Sequence, residues 1–195
     1  IPKGCPLFFI EFFPQRRKIR AMAKFKLEKK TLIYDGRIVR LVVSDGTIKG
    51  RKARWEVVHH IGSVGILPLL PGGRVVLVEQ FRYAVGERLL EIPAGTLHKG
   101  EAPLSAARRE IREEIGYAAD KLEKLDIFYP SPGVTDEFVV IYKATGLKPS
   151  KLEPDFDEDI KVRTIKLSDA LRYVKQGRIK DAKTIIALLL ISGKR

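Results

Sequence analysis

The chain has 195 residues, of which 45% are hydrophobic and 31% are charged, and this composition suits one globular core. The longest apolar run near the C-terminus, residues 185–191, is too short to span a membrane. The net charge of +13 raises the question of nucleic-acid binding, but the basic residues are scattered among acidic ones, so we expect no nucleic-acid partner. The single cysteine, Cys5, excludes an internal disulfide and is compatible with a reducing cytoplasm.

Residues 1–21 differ from the rest of the chain. The only methionine is Met22, and the residues after it read as the opening of a strand. The apolar residues 6–13 superficially resemble a signal peptide, but Glu11 interrupts them and their basic cluster follows instead of preceding them. We therefore expect residues 1–21 to be an extension outside the fold and residues 22–195 to form one domain.

Strand patterns dominate the first half. Residues 24–34, 37–44 and 47–58 are separated by Asp35-Gly36 and Asp45-Gly46, which predicts a three-stranded antiparallel meander. Two further strands, 63–70 and 74–80, flank a Pro-Gly-Gly turn.

The second half begins with a helix of about fourteen residues. Pro103 suits its first turn and Gly116 suits the position just past its end. Its apolar stripe is predicted to pack on a sheet and consists of Leu104, Ala107, Ile111 and Ile115. Strands near 124–129, 137–144 and 160–166 and helices near 168–176 and 181–192 follow. The order of elements predicts an α/β sandwich in which helices cover a mixed sheet.

Three carboxylates on this helix crowd one side of it, next to the apolar stripe. Glu110 and Glu114 are one turn apart, and Glu113 is three residues from Glu110. Like charges at that spacing are unfavourable, and hard oxygen ligands suit Mg²⁺ or Mn²⁺. The alternative is a solvated acidic face that nearby arginines neutralise.

The helix and the loop before it resemble a complete Nudix box. The pattern is G-x5-E-x7-R-E-U-x-E-E-x-G-U, where U is apolar, and it is formed by Gly95, Glu101, Arg109, Glu110, Ile111, Glu113, Glu114, Gly116 and Tyr117. The resemblance implies the Nudix α/β/α sandwich and a hydrolase of nucleoside diphosphate derivatives. It also implies a metal site formed by Glu110, Glu113, Glu114 and the backbone carbonyl of Ala94, and a structural ion pair between Arg109 and Glu101.

Sequence outside the box resembles the ADP-ribose pyrophosphatase branch of the family. The matching segments are residues 80–82, residues 91–95 and residues 131–133, with Pro132 sixteen residues after Gly116. This resemblance implies conversion of ADP-ribose to AMP and ribose 5-phosphate. It further implies a homodimer in which the N-terminal strands, residues 22–60, reach the partner subunit.

The resemblance also implies substrate-binding residues. Arg54 and Arg82 would contact phosphate or ribose, Glu91 would lie near the terminal ribose, and Trp55 would stack on adenine. Each has a structural alternative; Trp55, for example, lies in a predicted strand and could belong to the core.

The remaining requirement is a catalytic base. In this branch the acidic loop, residues 153–159, carries a catalytic carboxylate, and Glu158 matches it best, with Glu113 assisting at the metal. Phe156 stands where some relatives have a second glutamate, and the alternative is a solvated loop.

Two other functions stay open. One is a different Nudix substrate, such as an oxidised nucleoside triphosphate or a nucleotide sugar. The other is a non-catalytic nucleotide or RNA sensor on the same fold.

Overall fold

The structure is a computed structural model and describes residues 25–152 and 159–193. The chain divides into two compact units, Ile1–His60 and Ile61–Arg195. Within the described residues, no helix is long and apolar enough to cross a membrane.

The first unit contains a three-stranded antiparallel sheet in the order β1-β2-β3. Its strands are β1 (Phe25–Asp35), β2 (Val39–Ile48) and β3 (Arg51–His60). The predicted meander is therefore present, although its second turn was placed wrongly. The chain turns at Lys49-Gly50 and not at Asp45-Gly46.

Backbone conformation explains the position of that turn. Lys49 and Gly50 have φ values of 50° and 76°, the left-handed pair that a two-residue hairpin turn requires. Asp45 instead continues β2 and lies opposite Arg54, whose Nε donates to its Oδ1 at 2.7 Å.

The second unit contains a mixed seven-stranded sheet. Its main path runs β10-β5-β4-β9-β8, with β6 paired to β5 and β7 paired to β4. Among the strands that the structure describes in this sheet, only β4 and β9 pair in parallel; the other pairings are antiparallel. The strands are β4 (Ser63–Leu70), β5 (Arg74–Arg82), β6 (Glu87–Glu91), β7 (Ala94–Thr96), β8 (Tyr117–Phe128), β9 (Val139–Pro149) and β10 (Ile160–Lys166).

Helices cover the sheet: α1 (Pro103–Ile115), α2 (Leu167–Lys175) and α3 (Ala182–Ile191). A buried cluster joins β4, β5 and β9 to α2 and α3, and includes Leu67, Leu77, Ile141 and Leu188. Alternate residues of a strand point to opposite faces, so Val64 and Ile66 of β4 point away from Leu67. Helix α1 contacts β4, β7 and β8, which gives the predicted α/β/α sandwich.

Two details of the prediction were wrong. Strand β8 begins at Tyr117, directly after α1, where no strand was expected, because Ala118 and Ala119, which have low strand propensity, are held by pairing with β9. Leu104 is 40% exposed and lies on the first turn of α1, while Ala106 is fully buried in the helix face that contacts the sheet.

Candidate active site

The helix that carries the carboxylates begins and ends as the sequence predicts. Pro103 occupies the first turn, where its missing N–H has no helical partner to lose. Gly116 follows the last turn with φ of 72°, and its N–H donates to the carbonyl oxygen of Ile111. Pro103 and Gly116 therefore mark the two ends of α1.

Glu110 and Glu114 point from α1 at the backbone of β7. Each residue is only 6% exposed. The N–H of Ala94 donates to Glu114 Oε2 at 3.0 Å. A Cβ on Gly95 would lie 2.5 Å or less from each of the three atoms of the Glu110 carboxylate, so only glycine leaves room for it. The two buried carboxylates thus meet at Ala94-Gly95.

Arg109 connects these carboxylates to the preceding loop. Its Nη1 donates to Glu110 at 2.6 Å and to Glu113 at 2.9 Å, while its Nε and Nη2 donate to Glu101 at 3.1 and 3.0 Å. The predicted Arg109–Glu101 ion pair is therefore present.

Electrostatics at this arginine follow from its partners. Burial by itself would lower the pKa of Arg109, but the bonds and charges of the surrounding carboxylates outweigh burial and raise it. The bond from Arg109 is the main reason that the pKa of Glu101 lies below its ordinary value. Arg109 therefore stays charged and fixes the carboxylates around it.

The donor set of this cluster suits a hard divalent ion. Glu110, Glu113, Glu114 and the Ala94 carbonyl offer only oxygen atoms, as Mg²⁺ and Mn²⁺ prefer. Across residues 25–152 and 159–193, no three acidic, histidine or cysteine side chains converge closely enough to hold a metal ion by themselves. Mg²⁺ commonly binds through one or two carboxylates, water and substrate phosphate, and a cluster of this kind fits that mode.

A second group of charges joins β5 and β6 to the start of α3. Glu91 at the end of β6 is 1% exposed, and Arg82 of β5 donates to both its oxygens at 2.7 and 2.8 Å. Lys183 of α3 also donates to Glu91, and to Asp181 at 2.9 Å. Burial by itself would raise the pKa of Glu91, but the bonds and charges of Arg82 and Lys183 outweigh burial and lower it.

Members of the second group and the strand β7 beside the first group line one cavity of about 300 Å³. Its wall includes the backbone of Ala94 and Gly95, which touch the carboxylates of α1, and the side chains of Arg82 and Lys183. The acidic residues Asp181 and Glu137 also line it; Glu137 accepts a bond of 3.0 Å from Ser63. Cationic side chains next to a carboxylate cluster can bind a phosphate group that also contacts a metal ion.

Sequence reasoning had placed Arg82, Glu91 and Ala94 in the site, and the structure brings all three to this region. It had not singled out Lys183, Asp181 or the bordering Ser63–Glu137 pair. Asp181 did carry a local signal, because it precedes an apolar helix and accepts from the N–H of Thr184 as a cap.

The other predicted residues belong to the first unit or fall outside the described part of the chain. Arg54 and Trp55 are on β3 of the first unit, where Arg54 is exposed and Trp55 is partly buried. Trp55 is therefore not a fully buried core residue. Glu158 lies outside the described residues.

Comparisons with protein families, curated relatives and solved structures show what this chain is similar to. A scan against protein families matches residues 59–188 to the NUDIX domain. The ADP-ribose pyrophosphatase of Bacillus subtilis (strain 168) is 40% identical over 175 residues, which cover 86% of this chain and 95% of the relative. The methanol dehydrogenase activator of Bacillus methanolicus is also 40% identical, over 168 residues that cover 83% of this chain and 91% of the relative.

Among solved structures, a crystal structure of an ADP compounds hydrolase matches this fold with a TM-score of 0.78 at 20% identity. The match covers 89% of this chain and 98% of that chain. At this identity the likeness concerns the fold alone.

Proposed function

The chain belongs to the Nudix family, and on that premise we propose that it hydrolyses the diphosphate bond of ADP-ribose to give AMP and ribose 5-phosphate. One observation carries the proposal. Arg82 and Lys183 line the same cavity as Ala94 and Gly95. Ala94 and Gly95 in turn contact the buried carboxylates of α1. The proposed phosphate-binding residue, Arg82, and the proposed metal ligands therefore border the same cavity wall.

Glu110 and Glu114 are proposed to hold the divalent ion, Mg²⁺ or Mn²⁺, with the Ala94 carbonyl and with assistance from Glu113. When bound, such an ion neutralises the diphosphate and lowers the pKa of a water molecule. A phosphate charge about 4 Å from a single carboxylate would otherwise be repelled by roughly 4 kcal/mol at an effective dielectric near 20. The N–H of Ala94 and the space left by Gly95 keep Glu114 and Glu110 directed at this position.

Arg82 is proposed to bind the substrate phosphate. Its Nε and Nη2 donate to Glu91, so within the described structure its Nη1 is left to donate into the cavity. Arg82 stays charged, because its hydrogen bonds to Glu91 raise the pKa of Arg82 more than burial lowers it. Glu91 is 1% exposed, so we propose that it supports substrate binding indirectly, by orienting Arg82.

The general base is proposed to be Glu158, which would take a proton from the attacking water. Arg54 and Trp55 are proposed to contribute substrate contacts, with Trp55 stacking on adenine. These assignments rest on the resemblance of the surrounding sequence to the ADP-ribose pyrophosphatase branch.

A homodimer formed through the N-terminal sheet is also proposed. The sheet exposes several apolar side chains, among them Leu32 at 53%, Ile33 at 56% and Tyr34 at 58%. Exposed apolar side chains concentrated in one sheet can mark an interaction site. Light scattering should give twice the chain mass of 22.0 kDa, and the mass of a single chain would contradict the proposal.

A cytoplasmic location is proposed from the single cysteine.

The substrate is tested by a panel assay. Values of kcat/KM are compared for ADP-ribose, a nucleotide sugar and an oxidised nucleoside triphosphate at saturating Mg²⁺. We expect ADP-ribose to be preferred. The panel also includes NAD, a dinucleotide whose two halves are joined by the same kind of diphosphate link. Binding without turnover of any compound would instead favour a sensor.

A further inference from the structure

Lys183 stands between two carboxylates at the start of α3. Its Nζ donates to Glu91 and, at 2.9 Å, to Asp181, while its side chain is 17% exposed. Glu91 is 1% exposed and Asp181 is 15% exposed, so water contributes little to the neutralisation of Glu91. Lys183 therefore supplies much of the positive charge that permits a carboxylate in this buried position.

The first turn of α3 fixes Lys183 relative to β6. Asp181 accepts from the N–H of Thr184 at 2.9 Å and from its hydroxyl at 2.5 Å. The Thr184 Oγ1 in turn accepts from the N–H of Ile92 at 2.8 Å, and Ile92 directly follows Glu91. The Ile92–Thr184 bond thus connects the first turn of α3 to the residue that directly follows β6, next to the Lys183–Glu91 contact.

Glu91 connects Lys183 to Arg82, which lines the cavity. Two parallel bonds from Nε and Nη2 fix the plane of the Arg82 guanidinium group against the carboxylate. Lys183 binds the same carboxylate from α3, so the carboxylate is bracketed by two cations. Without Lys183, the carboxylate would have one cationic partner and its plane would no longer be fixed from two sides.

We propose that Lys183 is a positioning residue for substrate binding: it holds Glu91 in the ionised state and orientation that direct Arg82 at a phosphate group of the substrate. The inference rests on the proposed function, because it takes Arg82 as the phosphate-binding residue. It assigns to the last helix of the fold a role in the affinity of the site.

The chain provides a matched control. Lys180 also bonds a glutamate of β6, since its Nζ lies 2.9 Å from Glu87 Oε2. That pair is about half exposed, at 56% and 47%, and neither residue lines the cavity. Lys180→Met thus removes the same type of charge from the same region without affecting Glu91.

The experiment measures kcat, KM for ADP-ribose and Tm for the wild type, Lys183→Met, Lys183→Arg and Lys180→Met. Lys183→Met should raise KM roughly 10-fold, the scale of one charge-assisted hydrogen bond, with kcat changed less than about threefold. Lys183→Arg should recover most of the affinity, and Lys180→Met should match the wild type. In an Arg82→Lys background, Lys183→Met should raise KM much less, because both changes act on one contact.

The outcomes separate the two proposals. A wild type that does not hydrolyse ADP-ribose would overturn the proposed function. If the wild type is active but Lys183→Met and Lys180→Met have equal KM values, only the role of Lys183 is overturned. The same conclusion follows if Lys183→Met raises KM as much in the Arg82→Lys background as in the wild type. If Lys183→Met does not fold, Lys183→Gln, which keeps an N–H donor without the charge, replaces it; a wild-type KM in that variant would overturn the inference.

Discussion

Gly95→Ala is the substitution that most directly tests the geometry of the carboxylate cluster. The new methyl carbon would lie 2.5 Å or less from Cδ, Oε1 and Oε2 of Glu110. Ordinary contacts of such atoms lie near 3.5 Å, so the carboxylate must retreat by roughly 1 Å or more. A misplacement of about 1 Å in a catalytic group can reduce the rate by roughly 10²-fold. We therefore expect kcat to fall by that order.

The fold should survive the substitution with some loss of stability. The atoms in the way belong to the end of a flexible side chain, so the backbone of β7 need not move. The displaced carboxylate loses its bond of 2.6 Å from Arg109, and a hydrogen bond to a charged group contributes about 1.5–3 kcal/mol. A modest decrease in Tm with an unchanged circular dichroism spectrum is expected.

The assay measures ADP-ribose hydrolysis against Mg²⁺ concentration, together with Tm. Gly133→Ala is the control, because a Cβ there meets no atom within 4 Å and its φ is not in the left-handed region. The Gly95 variant should need more Mg²⁺ for half-maximal rate as well as losing kcat. If a folded Gly95→Ala protein kept kcat and Mg²⁺ dependence within twofold of Gly133→Ala, the reasoning about Glu110 would be refuted.

Three other predictions concern individual carboxylates. Glu114→Gln should abolish most metal-dependent hydrolysis yet leave the fold intact, which kinetics and circular dichroism would check; near wild-type turnover at saturating Mg²⁺ would exclude Glu114 as a ligand. Glu158→Gln should lower kcat by roughly 10²-fold with little change in KM, while Asp157→Asn should matter less; the opposite order would move the base to Asp157. The pKa of Glu91 is lower in the folded protein than in the unfolded chain, so ionised Glu91 stabilises the fold at pH values above its ordinary pKa. This stabilisation is lost as pH falls from about 5 through the lowered pKa. Urea unfolding from pH 7 to pH 3 should therefore show a smaller acid loss of stability in Glu91→Gln than in the wild type, and equal pH dependence would contradict the assigned ionisation.

The carboxylate helix was predictable because its determinants are local. Pro103, Gly116 and the spacing of the glutamates lie within one short segment, and the periodicity of a helix decides which of them share a side. The Arg109–Glu101 pair was predictable for the same reason, given the family resemblance. The α/β/α layering also followed from the order of strand and helix patterns.

Long-range contacts were not predictable in this way. Lys183 and Glu91 are separated by 92 residues, and no local pattern indicates that α3 places its lysine on the buried end of β6. After Tyr117, the next residues of β8, Ala118 and Ala119, have no strand signal of their own and depend on pairing with β9. The turn at Lys49-Gly50 was missed because Asp45-Gly46 is the stronger turn sequence, and cross-strand pairing of Asp45 with Arg54 favoured the longer strand.

The central claim is that this site hydrolyses the diphosphate of ADP-ribose with a divalent ion. The most direct measurement is the identification of products, by chromatography, after incubation of the wild type with ADP-ribose in the presence of Mg²⁺, with excess chelator, and with Glu114→Gln as the paired variant. We predict equal amounts of AMP and ribose 5-phosphate in the first reaction alone. Unchanged ADP-ribose in the presence of Mg²⁺ or Mn²⁺, or equal product formation with and without chelator, would contradict the account.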